Sequence, residues 1–143
     1  AIFVFPGVPT TMYNHLNDTD FRKKLMKGPD TTYAEFAQYT SMTADEFNAL
    51  PPYTFFKYRP AGGNRTDNMV AAAVSLPLMR VEEMYFIDME ATYHTQGQDA
   101  AFTKLYNFMQ TYRDRGFYAK ETNILDEILF QKKVEFWAEV RQI

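Results

Sequence analysis

Cysteine is absent from this chain, which excludes disulfides, zinc–thiolate sites and thiol nucleophiles at once. Histidine is scarce. His15 and His94 are the only two, with no HxxxH or HExxH spacing, so no metal site and no cofactor is expected. Basic residues do not exceed acidic ones, 15 against 18 for a net charge of -3, so the chain has no excess of cations to release counterions from nucleic acid. No apolar run reaches the length of a membrane-spanning helix, and no leader-like pattern opens the sequence. Ala61-Gly62-Gly63-Asn64 is glycine-rich but lacks the lysine and the strand-to-helix setting of a phosphate loop, and it reads as a turn.

Aromatic residues, by contrast, are plentiful: 17% of 143 residues, in one domain-sized chain. That is more than a core of this size usually holds, so some tyrosines are expected at a surface or interface. Tyr33, Tyr39, Tyr53 and Tyr58, lying in the irregular half with Asn48 and Asn64, are the expected exposed ones. Trp137 shares a helical stripe with Phe130 and Val134 and is expected in the core.

Helical periodicity is sustained only over residues 78–143. Leu78, Val81, Tyr85 and Met89 form one stripe, and Met84, Ile87 and Ala91 a second, which predicts a helix over 78–95 covered on two sides. Gly97 is the expected left-handed cap. A second helix over 99–115 places Ala101, Leu105, Phe108, Met109 and Tyr112 on one face and stops at Gly116, after Arg113 and Arg115 at its negative end. Thr122 or Asn123 caps a third helix over 122–143, with Leu125, Leu129, Phe136, Val140 and Ile143 on one line and Phe130, Val134 and Trp137 on another. Leu105, Met109, Leu129 and Phe136 are the expected interior. The pattern still runs at Ile143, which predicts a fragment.

The first half, residues 1–77, reads as irregular and loop-rich. Residues 1–5 suggest an edge strand, 18–26 and 31–39 short helices, and 53–58 a short strand. Thr43 and Glu46 have capping-box spacing ahead of a helix over 43–50. Residues 59–68 have the composition of a loop.

Carboxylates permit one catalytic reading. Glu83 and Glu90 lie seven apart, about 10 Å by helix rise, which exceeds the usual separation for glycoside hydrolysis, and Arg80 is expected to pair with Glu83. Ion pairing is the better account, as it is for Glu135 and Glu139 with Lys132, Lys133 and Arg141. No catalytic residue is assigned.

The same helical stretch resembles the C-terminal signature of the SusD/RagB family. The resemblance is carried by Arg80 to Glu83, Tyr85, Met89-Glu90-Ala91, Gly97, Ala100, Leu105 with Asn107, Tyr112-Arg113-Asp114-Arg115-Gly116, Ile128-Leu129, and the run from Val134 through Glu135, Glu139 and Arg141. Asp20-Phe21-Arg22-Lys23 and Phe56-Lys57-Tyr58-Arg59-Pro60 agree more loosely, while Met89, Gln131 and Val140 depart from the pattern. The resemblance implies a mainly α fold of stacked antiparallel helices of tetratricopeptide-like type, with irregular loops and a short strand or hairpin. No repeat period is visible in the sequence itself.

It further implies a non-catalytic binding component of a TonB-dependent uptake system. Such proteins are outer-membrane lipoproteins at the cell surface of Bacteroidetes, held by a lipid anchor, which here would lie before Ala1. The expected partners are a SusC-like transporter and an oligosaccharide, with a peptide as second choice. Its ligand-contacting residues follow no shared motif, so none is carried over. Arg80, Glu83, Glu90, Gly97, Asn107, Arg113, Arg115, Glu135, Glu139 and Arg141 are expected to have structural roles. Two other classes stand beside this reading: a helical protein-interaction module without a transport role, and a helical glycoside hydrolase.

Overall fold

The computed structural model describes residues 6–57, 61–64, 66–71, 73 and 79–139. It is mainly helical, with helices packed on one another, and it divides into two units, Ala1–Leu16 with Phe21–Leu76, and Asn17–Asp20 with Pro77–Ile143.

In the first unit the helices are short because the sequence keeps interrupting them. They are α1 (Thr10–His15), α2 (Tyr33–Phe36) running on into a 3-10 turn (Ala37–Tyr39), α3 (Ala44–Ala49) and α4 (Asn68–Ala71). α3 is capped as its spacing predicts: the Glu46 N–H donates to Thr43 Oγ1 (3.4 Å), and the Thr43 N–H donates to the Glu46 carboxylate (2.8 Å). Its other end is satisfied by Lys27, a buried lysine whose Nζ donates to the carbonyls of Phe47 (2.8 Å) and Leu50. A cation there suits the negative end of the helix. The helix expected over 18–26 contracts to a 3-10 turn, Phe21–Leu25. The expected strand contracts to isolated antiparallel bridges, Thr54 to Gly7 and Phe55 to Met26. Residues 1–5 and Tyr58 lie outside the described residues.

With so little regular structure, this unit makes its core from aromatic rings. Phe36, Phe47 and Phe56 pack with Met42, the ring centroids of Phe36 and Phe56 standing 4.5 Å apart. Tyr33 and Tyr39 join that cluster, and Tyr53 stands edge-on to Tyr13 at 5.4 Å. The expectation that Tyr33, Tyr39 and Tyr53 are exposed is therefore corrected. All three are half-buried.

The second unit contains α5 (Val81–Gln96), α6 (Gln98–Tyr112) and α7 (Ile124–Glu135). α5 and α6 run antiparallel, since Lys104 meets Asp88 while Phe108 and Tyr112 meet Tyr85. Gly97 alone joins them: its N–H donates to the Tyr93 carbonyl (3.2 Å) and its carbonyl accepts from the Ala101 N–H (3.3 Å). Its φ of 92° requires glycine, although ψ of 178° makes it an extended joint instead of the left-handed cap expected.

α6 buries Ala101, Leu105, Phe108 and Met109 as its periodicity predicts, but Tyr112 is exposed and the helix ends there, short of residue 115. Gly116 does not act as a left-handed cap. It is a close approach, where an added Cβ would sit 2.8 Å from Thr19 Oγ1.

The other two helices depart further from their apolar stripes. α5 turns Phe86, Met89 and Thr92 inward, leaving Val81, Met84, Tyr85 and Ile87 exposed, so a single side is covered where two were expected. α7 begins at an Asn123 cap, whose side chain accepts from the Leu125 N–H, and ends at Glu135 instead of continuing to 143. Its buried face is Ile124, Glu127, Ile128, Gln131, Val134 and Glu135. Leu129, expected inside, is 44% exposed. Half of that buried face is polar, so an apolar stripe could not trace it. The core joins Phe86, Met89, Leu105, Phe108, Met109 and Ile128 with Phe117 and Phe136 from the connections. Fully burying each such side chain contributes about 1.5–3 kcal/mol.

Candidate functional site

Two features of the helical unit bear on function, and the first is a knot of charge. Glu135 is 5% exposed at the end of α7 and accepts from Arg113 Nε (2.8 Å) and Arg113 Nη2 (2.9 Å), a two-pronged guanidinium–carboxylate pair. Arg80 Nη2 donates to the same carboxylate (3.2 Å) and to the Glu135 carbonyl (2.9 Å), and pairs with Glu139 (2.8 Å). Glu82, in the first turn of α5, binds Arg113 (3.0 Å) and lies 3.4 Å from Arg80. Burial of the Arg113 guanidinium acts to lower its pKa, but the hydrogen bond and charge of Glu135, followed by those of Glu82, outweigh it and hold the pKa above the ordinary value. Each guanidinium also covers a ring: Arg80 lies over Phe136 (5.0 Å) and Arg113 over Phe108 (5.3 Å). The knot therefore ties the start of α5, the end of α6 and the end of α7 to the apolar core.

Two further carboxylates act as loop organisers. Asp114, 1% exposed, accepts from Asn17 Nδ2 (2.9 Å), Thr19 Oγ1 (2.6 Å) and the Gly116 N–H (2.9 Å), pinning residues 17–20 to the turn after α6. Glu127 accepts from the N–H groups of Lys120 and Glu121 and from Gln131 Nε2. Neither was expected to organise a loop, because a single Asp or Glu in a turn or first helical turn does not show which distant N–H groups it will meet.

The second feature is a groove of about 310 Å³ between α5 and α6. Lys104, Asn107, Phe108, Thr111 and Tyr112 recur at the three- and four-residue spacing of one helical edge and face Tyr85, Asp88 and Met89. Phe108 and Met89 are buried and form its floor, while Tyr85 and Tyr112 are 41% and 52% exposed with ring centroids 6.2 Å apart. The hydrogen bond with Tyr112, then its charge, raises the Tyr85 pKa above its ordinary value. At the other end Lys104 Nζ donates to both oxygens of Asp88 at 2.7 Å.

The expected structural residues are thus partly gathered. Arg80, Arg113, Glu135 and Glu139 meet in the knot, and Glu90 pairs separately with Lys132 (2.6 Å). The expected pairing of Glu135 and Glu139 with Lys132 and Lys133 is corrected, because the end of α7 turns its carboxylates toward Arg80 and Arg113 while Lys132 reaches across to α5. Lys133 instead lies over the half-buried Trp137 ring at 5.7 Å. Asn107 is exposed in the groove, Arg115 is exposed in the turn, and Glu83 is half-buried on the first turn of α5. His15 ends α1, and His94 is exposed on α5. Arg141 lies outside the described residues. Among the described residues no group of three or more metal-ligating side chains converges, and no helix is long and apolar enough to cross a membrane.

Compared with known proteins, the chain matches no family model, no curated protein and no solved structure.

Proposed function

We propose that the chain belongs to a non-catalytic, surface-exposed nutrient-binding component of a TonB-dependent uptake system, a SusD-like lipoprotein of the outer membrane. Such a component captures an oligosaccharide and passes it to its SusC-like transporter. One observation carries most weight: residues that make up the resemblance, although 55 positions apart, interlock as a unit, with Arg80 held by Glu135 and Arg113 held by the same carboxylate. Gly97, from the same set, is the one-residue joint between α5 and α6. The test is chromosomal deletion of the encoding gene, followed by growth on a panel of glycans as sole carbon source and by co-purification from outer membranes. Loss of growth on one glycan with capture of a TonB-dependent transporter is the expected result. Unchanged growth with no transporter captured would refute the proposal.

The second reading, a helical protein-interaction module, draws on the outer face of α5, where Val81, Met84 and Ile87 are more than half exposed. Capture of a soluble protein in place of a transporter, with no growth phenotype, would favour it.

A further inference from the structure

We infer that the groove between α5 and α6 is a binding subsite for a short segment of a neutral saccharide, with the Tyr85 and Tyr112 rings as its platform and Asn107 and Thr111 as its hydrogen-bonding edge. The choice of saccharide rests on the nutrient-binding reading above, and the groove adds the location and the chemistry. Its volume of about 310 Å³ lies at the small end of ligand clefts, which suits a few sugar rings and not a folded partner.

The lining decides the class of ligand. Two half-exposed phenol rings, tilted 47° to one another over a buried Phe108 and Met89 floor, each offer an apolar face, which complements the C–H face of a pyranose. Alongside, Asn107 and Thr111 supply both donors and acceptors, the combination that hydroxyl groups require. Asn107 is exposed at the groove, so its side-chain amide can reach a ligand.

Charge argues in the same direction. Among the described lining residues the only charged groups are Asp88 and Lys104, and they neutralise each other at 2.7 Å, so this lining has no net charge with which to select a phosphate or an ammonium ligand. Both are well exposed, and an exposed pair of this kind is weakly held, so either group can turn to a sugar hydroxyl at little cost. A wholly apolar ligand would instead cover the Asn107 amide and the Thr111 hydroxyl without offering them partners.

The test uses the 143-residue chain, isotopically labelled for NMR, titrated with maltohexaose, cellohexaose, xylohexaose, laminarihexaose and mannohexaose, and separately with tetra-alanine. At least one saccharide should shift Asn107, Thr111 and Tyr112 resonances. Tyr112→Ala should weaken that binding about tenfold or more, and Asn107→Ala about three- to tenfold. Both side chains are exposed, so circular dichroism should show intact helices in both variants, and Tyr118→Ala, an exposed ring outside the groove, should bind as the parent does. Binding that survives both groove variants would overturn the subsite while leaving the nutrient-binding reading intact. Groove shifts with tetra-alanine alone, or with no titrant, would also overturn it, and the deletion phenotype would then judge the broader function separately.

Discussion

Replacing Glu135 by Gln removes the central charge of the knot while keeping its shape. From described residues the carboxylate accepts three side-chain hydrogen bonds, two from Arg113 and one from Arg80, all from charged donors. An amide in its place turns an N–H toward a guanidinium N–H, so at least one of these bonds becomes a donor–donor conflict. Bonds to charged groups contribute about 1.5–3 kcal/mol each, and removing one partner of a buried ion pair costs about 3–5 kcal/mol. Here Glu82 and Glu139 remain to compensate Arg113 and Arg80, which places the expected cost nearer 2–3 kcal/mol. The assay is urea unfolding followed by circular dichroism at the helix band, which reports mainly on α5 to α7. With a slope of about 1–3 kcal/mol per molar urea, the midpoint should fall by about 1 M. Because Glu135 is buried, the loss should persist in 1 M salt, where exposed pairs such as Asp88–Lys104 are screened. A midpoint within about 0.2 M of the parent, about a fifth of the shift the geometry implies, would refute the assignment of Glu135 as the electrostatic centre of this unit.

Other substitutions probe the same fold. Ile128→Ala should cost about 2–5 kcal/mol in urea unfolding, whereas Leu129→Ala, at the neighbouring but exposed position, should cost under about 1 kcal/mol; equal costs would contradict the orientation of α7. Gly116→Ala should destabilise by about 1–3 kcal/mol, because its Cβ would press on the Thr19 hydroxyl that donates to Asp114, and a parent-like thermal midpoint would show that this approach is looser than described. In the first unit, the hydrogen bond from the Thr32 backbone N–H, then that from its hydroxyl, holds Glu35 below its ordinary pKa of 4.5. Since the folded pKa is depressed, this contribution is present above the unfolded pKa and is lost as pH falls through the folded value. An NMR titration of the Glu35 carboxyl should therefore show a midpoint below 4.5, and a midpoint at or above it would remove the interaction.

The sequence alone determined that the second half is helical, where α6 begins, and four of the five side chains assigned to its inward face, Tyr112 being the exception. There, Ala101, Leu105, Phe108 and Met109 are apolar, regularly spaced and all buried, so local pattern and tertiary packing agree. It also determined the cap of α3 and narrowed the cap of α7 to Thr122 or Asn123, because capping chemistry is local. The buried face of α7 was decided only in three dimensions: Glu127, Gln131 and Glu135 are buried because the loop N–H groups and two arginines that satisfy them come from distant segments. The same holds for the candidate groove. Tyr85 and Tyr112 are apolar enough to be counted with the core, and only the antiparallel packing of α5 on α6 leaves them at its edge, exposed beside Asn107. In the first unit tertiary structure reversed the expectation for Tyr33 and Tyr39, because a segment with few helical residues has little besides its aromatic rings with which to build a core.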